Sequence, residues 1–147
     1  MGMTKTAVYY DGHVDPDRER FAQFRELPRD HPVNMLNLIR LNDTATYDDG
    51  TMITGREAYA AYARASAPIF QKLGGRIVWS GKFELMLIGP EAAYWDLCFV
   101  AEYPSGESFI SMIRDPEYRE AVKHRQVAVA DSRLIRLRPN EPRGMFG

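Results

Sequence analysis

The spacing of apolar positions predicts four strands between residues 33 and 137. Residues 33–41 are apolar on both faces apart from three polar positions, and this run is too short for a typical helix, which favours a central strand. Residues 76–89 alternate between apolar and polar side chains, as a half-exposed strand does, with Gly81 as a bulge or bend. Residues 95–103 predict a more buried strand, and residues 132–137 predict the last one.

The segment between the first two strands carries the strongest helix signal. Thr54 and Glu57 have the spacing of a capping box, in which each side chain accepts a hydrogen bond from the other residue's backbone N–H. Gly74 and Gly75 supply a left-handed end, so the helix should cover residues 55–73. Pro68 lies inside it and predicts a kink.

A second helical region follows the third strand. Pro104-Ser105 predicts a helix that runs to about residue 113, and Asp115-Pro116 predicts the start of another, because aspartate caps free N–H groups and proline fits the first turn. Asp15-Pro16 repeats this combination and predicts a short helix near residues 16–26. Residues 42–53 are polar and turn-rich, which is typical of a mobile surface loop.

The order of these elements is strand, helix, strand, repeated once. It predicts an α+β fold of the ferredoxin-like split β-α-β type, with a four-stranded antiparallel sheet and two main helices on one face. We expect an N-terminal extension with a short helix over residues 1–32, the main domain over residues 33–138, and a loose tail over residues 139–147. The other sheet face should then be rich in Leu, Val and Ile, and such a face rarely stays in water.

Composition narrows the class of protein. The 147 residues are 45% hydrophobic and 27% charged, which is ordinary for a globular domain. The net charge of -1 gives no basic excess for nucleic acid, and no run approaches the ~18 apolar residues of a membrane span. The single cysteine, Cys98, suits a reducing compartment. We therefore expect a cytoplasmic protein with neither a nucleic-acid nor a membrane partner.

Familiar catalytic and metal-binding motifs do not occur in the sequence. None of the three histidines has a second good ligand at metal-site spacing, and no G-x-S-x-G nucleophile motif is present. Gly74-Gly75 follows a helix, so it is interpreted as a cap and not as a phosphate loop. We expect no metal and no cofactor, and the sequence identifies no catalytic residue.

Several motifs together resemble the DUF1330 family over residues 54–138. They are a Tyr-x-x-Tyr helix, Gly-Gly-Arg, a strand with Gly and Glu, an acidic residue before an aromatic-Pro-Ser turn, and a Pro-x-Tyr helix that ends in Arg. The matching positions are Tyr59, Tyr62, Gly74, Gly75, Arg76, Gly81, Glu84, Glu102, Tyr103, Pro104, Ser105, Pro116, Tyr118 and Arg125. The resemblance implies a dimeric α+β barrel, in which the sheets of a homodimer close face to face.

The resemblance also implies a ligand pocket between sheet and helices. Polar side chains on otherwise apolar elements need partners, so they are the candidates to line it. Arg125 should face the sheet and pair with Glu102, Glu84 or an anionic ligand group. The alternative is a buried Arg–Glu pair with tyrosines bonded to backbone. The candidates are Asn37, Arg40, Tyr62, Trp79, Glu102, Tyr118 and Arg125.

Two function classes remain open at this stage. The first is a small-molecule-binding protein that acts as a cofactor-free enzyme on a small organic substrate, since barrels of this group include monooxygenases and lactone isomerases. The second is a non-catalytic ligand-binding or interaction module.

Overall fold

The structure is a computed structural model that describes residues 12–147. The first eleven residues of the predicted 1–32 extension lie outside the described part. The helices are α1 Arg18–Glu26, α2 Gly55–Lys72, α3 Gly106–Arg114 and α4 Pro116–Ala128. The strands are β1 Val33–Leu41, β2 Thr44–Thr46, β3 Met52–Thr54, β4 Arg76–Gly81, β5 Leu97–Tyr103 and β6 Val129–Leu137.

Four of the strands form one antiparallel sheet in the spatial order β4-β5-β1-β6. The chain runs from β1 through α2 to β4, and then from β5 through α3 and α4 to β6. Two β-α-β halves therefore share one sheet, with the first strand of each half in the centre, which is the ferredoxin-like arrangement. The predicted α+β fold class is confirmed.

The helices cover one face of this sheet, and the strand alternation decides which side chains meet them. Val33, Met35 and Ile39 of β1 point to the helices and are buried, since successive side chains of a strand alternate between its faces. Ala101 and Tyr103 of β5 pack on the same side, together with residues of α2, α3 and α4. This layer between sheet and helices is the hydrophobic core.

Local capping signals fix the starts of the three main helices where the sequence placed them. The Thr54 hydroxyl accepts a hydrogen bond from the Glu57 N–H at 3.0 Å, and the Glu57 carboxylate accepts one from the Thr54 N–H at 3.1 Å. Ser105 caps α3 and Asp115 caps α4. Gly74 follows α2 with a φ of 80°, in the left-handed region that favours glycine.

The N-terminal helix begins two residues later than the sequence predicts. Its cap is Asp17, whose carboxylate accepts a hydrogen bond from the Arg20 N–H at 2.7 Å, and Asp15 does not cap it. The error arises because both aspartates precede the same helical pattern, and the sequence signal of a cap does not choose between them.

The predicted loop over residues 42–53 contains the β2–β3 hairpin. The Tyr47 hydroxyl, in the turn of this hairpin, lies 2.6 Å from the His124 Nδ1 on α4. The hairpin is therefore attached to the helix layer by a contact between residues far apart in sequence, which a reading of local polarity cannot anticipate.

The second strand is shorter than predicted. β4 ends at Gly81, and residues 82–96 form neither helix nor strand, whereas the alternating pattern predicted a strand to residue 89. The register also shifts between Ile77, opposite Ala101, and Trp79, opposite Val100. This bulge reverses the alternation, so Ile77 and Trp79 lie on opposite faces of the sheet, although the sequence pattern placed them on one face.

Candidate functional site

A cavity of about 1340 Å³ lies between the sheet and the helices. Side chains from β1, β4, β5 and β6 form its floor, and α2, α3 and α4 form its roof, while residues 13–17 and α1 close one side. Apolar groups dominate the walls, and they include Met35, Phe70, Phe99, Phe109, Ile113 and Val122. Ligand pockets in proteins usually measure roughly 300–1,000 Å³, so this cavity has room for more than a small metabolite.

Tyrosines bring hydroxyl groups into this apolar layer. The hydroxyls of Tyr62 on α2 and Tyr118 on α4 lie 2.7 Å apart, so one donates a hydrogen bond to the other. Tyr59 is the neighbour of Tyr62, with ring centroids 5.3 Å apart. Burial raises the pKa of Tyr59, Tyr62 and Tyr118 well above the usual 10. All three are therefore protonated at neutral pH and serve as neutral hydrogen-bond donors.

Arg125 places a positive charge at the edge of this cluster. It is only 8% exposed, and its guanidinium donates to the Val14 carbonyl at 2.5 Å and to the Ser132 hydroxyl at 3.4 Å. Within the described chain, one carboxylate lies within ion-pair distance, that of Asp15 at 4.0 Å. Asp15 is itself half-exposed, so the buried charge has no close, buried carboxylate partner.

The N-terminal segment reaches the site through the same group of residues. Ser132 donates its hydroxyl hydrogen to the His13 carbonyl at 2.8 Å, and the His13 N–H donates to the Asp131 carboxylate at 3.0 Å. Arg125 and Ser132 therefore hold residues 13–14 against β6. Ser132 faces the cavity because it lies opposite Ile39, which also points to the helices.

Four of the seven sequence candidates line the cavity, and three do not. Asn37 lines it from β1, where its amide donates to the Met35 carbonyl at 3.0 Å. The candidates brought together in this layer are Asn37, Tyr62, Tyr118 and Arg125.

Arg40, Trp79 and Glu102 lie on the opposite face of the sheet. Arg40 stacks over the Tyr94 ring at 3.9 Å, and Glu102 pairs with Arg76 at 2.9 Å. Of the three partners considered for Arg125, neither Glu102 nor Glu84 lies within ion-pair distance of it in the described chain, and the third, an anionic ligand group, stays a prediction. Neighbouring side chains of a strand point to opposite faces of the sheet, and the sequence alone did not show which of the two faces the helices would cover.

The sequence analysis missed Tyr59 and Ser132 as candidates. Tyr59 belongs to the Tyr-x-x-Tyr motif of the family resemblance, so that signal was present in the sequence. Ser132 carries no such signal, because its position in the site depends on the register between β1 and β6.

Two further findings concern the part of the chain from residue 12 onward. No group of three or more histidine, cysteine, aspartate or glutamate side chains lies close enough there to hold a metal ion. Over the same residues, no helix has the length and apolar character needed to cross a membrane.

Comparisons with known proteins identify relatives of this chain. It is 62% identical to the RPA0582 protein of unknown function from Rhodopseudomonas palustris, with a TM-score of 0.85 over 89% of this chain and 99% of that one. A crystal structure of methylated RPA0582 gives a TM-score of 0.87 at 62% identity over 89% of this chain and 97% of that one.

A protein of unknown function from Bacteroides fragilis, described as dimeric with a ferredoxin-like fold, is 14% identical over 72% of this chain and 94% of that one. Its TM-score of 0.45 is too low to carry an argument. No curated protein matches the chain. The model of the DUF1330 family, a domain of unknown function, matches residues 50–137. The chain therefore belongs to the DUF1330 family.

Proposed function

We propose that this protein binds a small organic molecule in the cavity between sheet and helices. The observation that carries the proposal is the cavity itself: Arg125, Asn37 and the hydroxyls of Tyr62 and Tyr118 lie among mainly apolar walls. Binding sites for small molecules combine apolar walls with a few convergent polar groups that orient the ligand. The lining of the cavity fits that description, and its volume exceeds that of a usual ligand pocket.

A second candidate is a cofactor-free enzyme that acts on the bound molecule. The buried hydroxyl pair of Tyr62 and Tyr118 supports it, since a preorganised donor in an apolar site stabilises an oxyanion as it develops. The raised tyrosine pKa values favour the binding function, because a neutral phenol donates a hydrogen bond but does not accept a proton at neutral pH.

The proposal includes a homodimer joined through the uncovered face of the sheet. Trp79, Val100, Leu36 and Ile135 are register neighbours and form one apolar row across all four strands on that face. Trp79 is 53% exposed in the single chain. A row of this kind is a typical contact surface between subunits. With a single thiol, the chain forms no internal disulfide, and we propose the cytoplasm as its location.

A cavity-filling variant tests the binding function. Ala67 lines the cavity from α2, while Ala65 lies on the exposed side of the same helix. A screen of small organic compounds should find ligands that raise the Tm of the natural protein and of Ala65→Phe, but not that of Ala67→Phe. The proposal fails if no compound stabilises the natural protein, or if Ala67→Phe responds to the same compounds as Ala65→Phe.

A further inference from the structure

The cavity has an unusual distribution of charge for a protein with a net charge of -1. Five arginines line it, whereas its acidic lining residues are the two aspartates of the N-terminal segment, Asp15 and Asp17. Both aspartates are exposed, and Asp15 also accepts a hydrogen bond from Gln126 at 3.2 Å. Two of the arginines already have acidic partners outside the lining, Arg76 with Glu102 and Arg133 with Asp131, so the positive excess of the cavity rests on the other three.

Arg125 is the deepest of these cations. A guanidinium has five N–H donors, and two hydrogen bonds, to Val14 and Ser132, are formed in the described chain. Removing a charge from water costs several kcal/mol unless an opposite charge or hydrogen bonds replace the lost hydration. The two neutral acceptors and the half-exposed Asp15 at 4.0 Å supply this only in part, so the site retains both charge and donors for an anionic group.

The tyrosine hydroxyls lie within the electrostatic reach of the same guanidinium. Its charge acts on Tyr59, Tyr62 and Tyr118, which line the cavity beside it. In the Tyr62–Tyr118 pair one hydroxyl proton is used in the mutual hydrogen bond, so the other remains for an acceptor. A carboxylate accepts up to four hydrogen bonds, and a guanidinium with a phenol provides the matching donors.

Of the other arginines without an acidic partner, Arg20 is exposed and Arg136 already donates to the Phe24 and Pro28 carbonyls, so the lining supplies one buried site for a charge. Phe70, Phe99, Phe109 and Ile113 extend the apolar walls away from Arg125, and the volume of about 1340 Å³ exceeds the need of a short acid. Burial of apolar surface stabilises a complex by roughly 25 cal/mol per Å². These walls therefore favour a ligand with a long or multi-ring hydrocarbon body.

We propose that the ligand is a monoanionic carboxylic acid with a long or multi-ring apolar body, whose carboxylate contacts Arg125. This inference rests on the proposed binding function and names the ligand class for the same cavity. The carboxylate lies at the end of the cavity formed by Arg125, Ser132 and the tyrosine hydroxyls, and the hydrocarbon body fills the aromatic part.

Matched pairs of acids and amides test the inference on the natural protein. Decanoate is compared with decanamide, and 2-naphthoate with 2-naphthamide, by titration calorimetry. Each amide keeps the hydrocarbon body and removes the charge. Since a hydrogen bond to a charged group is substantially stronger than a neutral one, each acid should bind at least about tenfold more tightly than its amide.

Variants then assign the preference to one side chain. Arg125→Gln should bring the affinity for the acids down to that for the amides and leave the amides nearly unchanged. Arg119→Gln removes an exposed arginine from the same helix and should keep the full preference. Ala67→Phe should weaken binding of acid and amide alike, which separates cavity binding from adsorption elsewhere.

Two different failures are distinguishable. If acids and amides bind the natural protein equally and Ala67→Phe weakens both, the cavity binds ligands but the carboxylate inference is wrong. If neither acid nor amide binds, the inference is overturned, and the compound screen with Ala67→Phe decides the binding function by itself. The comparison on the natural protein requires no variant, so a folding defect of Arg125→Gln does not affect it.

Discussion

The hydroxyl pair of Tyr62 and Tyr118 joins α2 to α4 inside the core. One phenol donates to the other at 2.7 Å, with the rings edge to face at 6.0 Å. A buried hydroxyl that loses its partner keeps the full cost of its lost hydration, whereas removal of both hydroxyls leaves an apolar pair of similar shape. The pair is thus a structural contact of the helix layer and a source of donors for the cavity.

A double-mutant cycle on this pair should show strong coupling. We expect Tyr62→Phe and Tyr118→Phe each to lower the free energy of unfolding by about 1–3 kcal/mol, and the double variant to lose less than the two losses combined. Urea denaturation measures all four proteins. Tyr59→Phe is the control, because the Tyr59 hydroxyl forms no hydrogen bond within residues 12–147, and its effect should be smaller. Additive losses would contradict the coupling.

The capping box at the start of α2 is a second contact between two residues with a predictable energy. Thr54→Ala removes the hydroxyl that accepts from the Glu57 N–H, and we expect a loss of about 1 kcal/mol in the free energy of unfolding. Thr46→Ala, at an exposed strand position, should change it much less. An unchanged urea midpoint for Thr54→Ala would show that the cap does not stabilise α2.

The same box predicts a pH dependence. The pKa of Glu57 lies below its ordinary value of 4.5. The main cause is the hydrogen bond from the Thr54 backbone N–H, and a hydrogen bond with the Thr54 side chain adds to it. A carboxyl whose pKa is depressed by folding stabilises the fold above its unfolded pKa, and this contribution disappears as the pH falls through its folded pKa. The difference in urea midpoint between the natural protein and Glu57→Gln should therefore be largest at neutral pH and vanish below the folded pKa. Glu141→Gln, in the C-terminal tail, should show no such trend.

At the scale of elements, the features that depend on residues close together in the sequence were predicted correctly. The bounds of β1 and the start of α2 depend on residues that are close together in the sequence, and both predictions agree with the structure. The bulge in β4 and the attachment of Tyr47 to His124 depend on distant partners, so local patterns could not show them. The site follows the same division: Tyr62, from the Tyr-x-x-Tyr motif on α2, lines the cavity, whereas the bulge in β4 places Trp79 on the opposite face of the sheet.

Pro68 gives a prediction for α2 as an element. The helix continues through Pro68 to Lys72, although a proline there cannot donate to the Arg64 carbonyl and crowds it. A proline inside a helix destabilises the folded state by about 3 kcal/mol relative to alanine. Proline also restricts the unfolded chain, which stabilises the fold by about 0.4–1 kcal/mol. Pro68→Ala should therefore raise the free energy of unfolding by about 2 kcal/mol. Pro116→Ala, at the first position of α4, should give no gain. No gain for Pro68→Ala would indicate that the packing of α2 requires the proline.

At the scale of the whole molecule, apolar surface lies on the side of the sheet away from the helices and in residues 82–88. Ile135, in the apolar row with Trp79, is 42% exposed, and Ile88 in the segment after β4 is 91% exposed. Single exposed apolar side chains are normal, whereas a continuous apolar row is the feature that supports the proposed homodimer. The sequence anticipated the row from the apolar character of the central strands, and it misread residues 82–89 as part of a strand.

The contact surface can be tested by changing one of its residues. Light scattering at micromolar concentration should give about twice 16.8 kDa for the natural protein. Ile135→Glu places a charge in the middle of the row, where burial between subunits would remove it from water, so this variant should approach 16.8 kDa. Met52→Glu replaces an exposed apolar residue on the β2–β3 hairpin and should stay dimeric. A monomeric natural protein, or a dimeric Ile135→Glu, would show that the sheet face does not join the subunits.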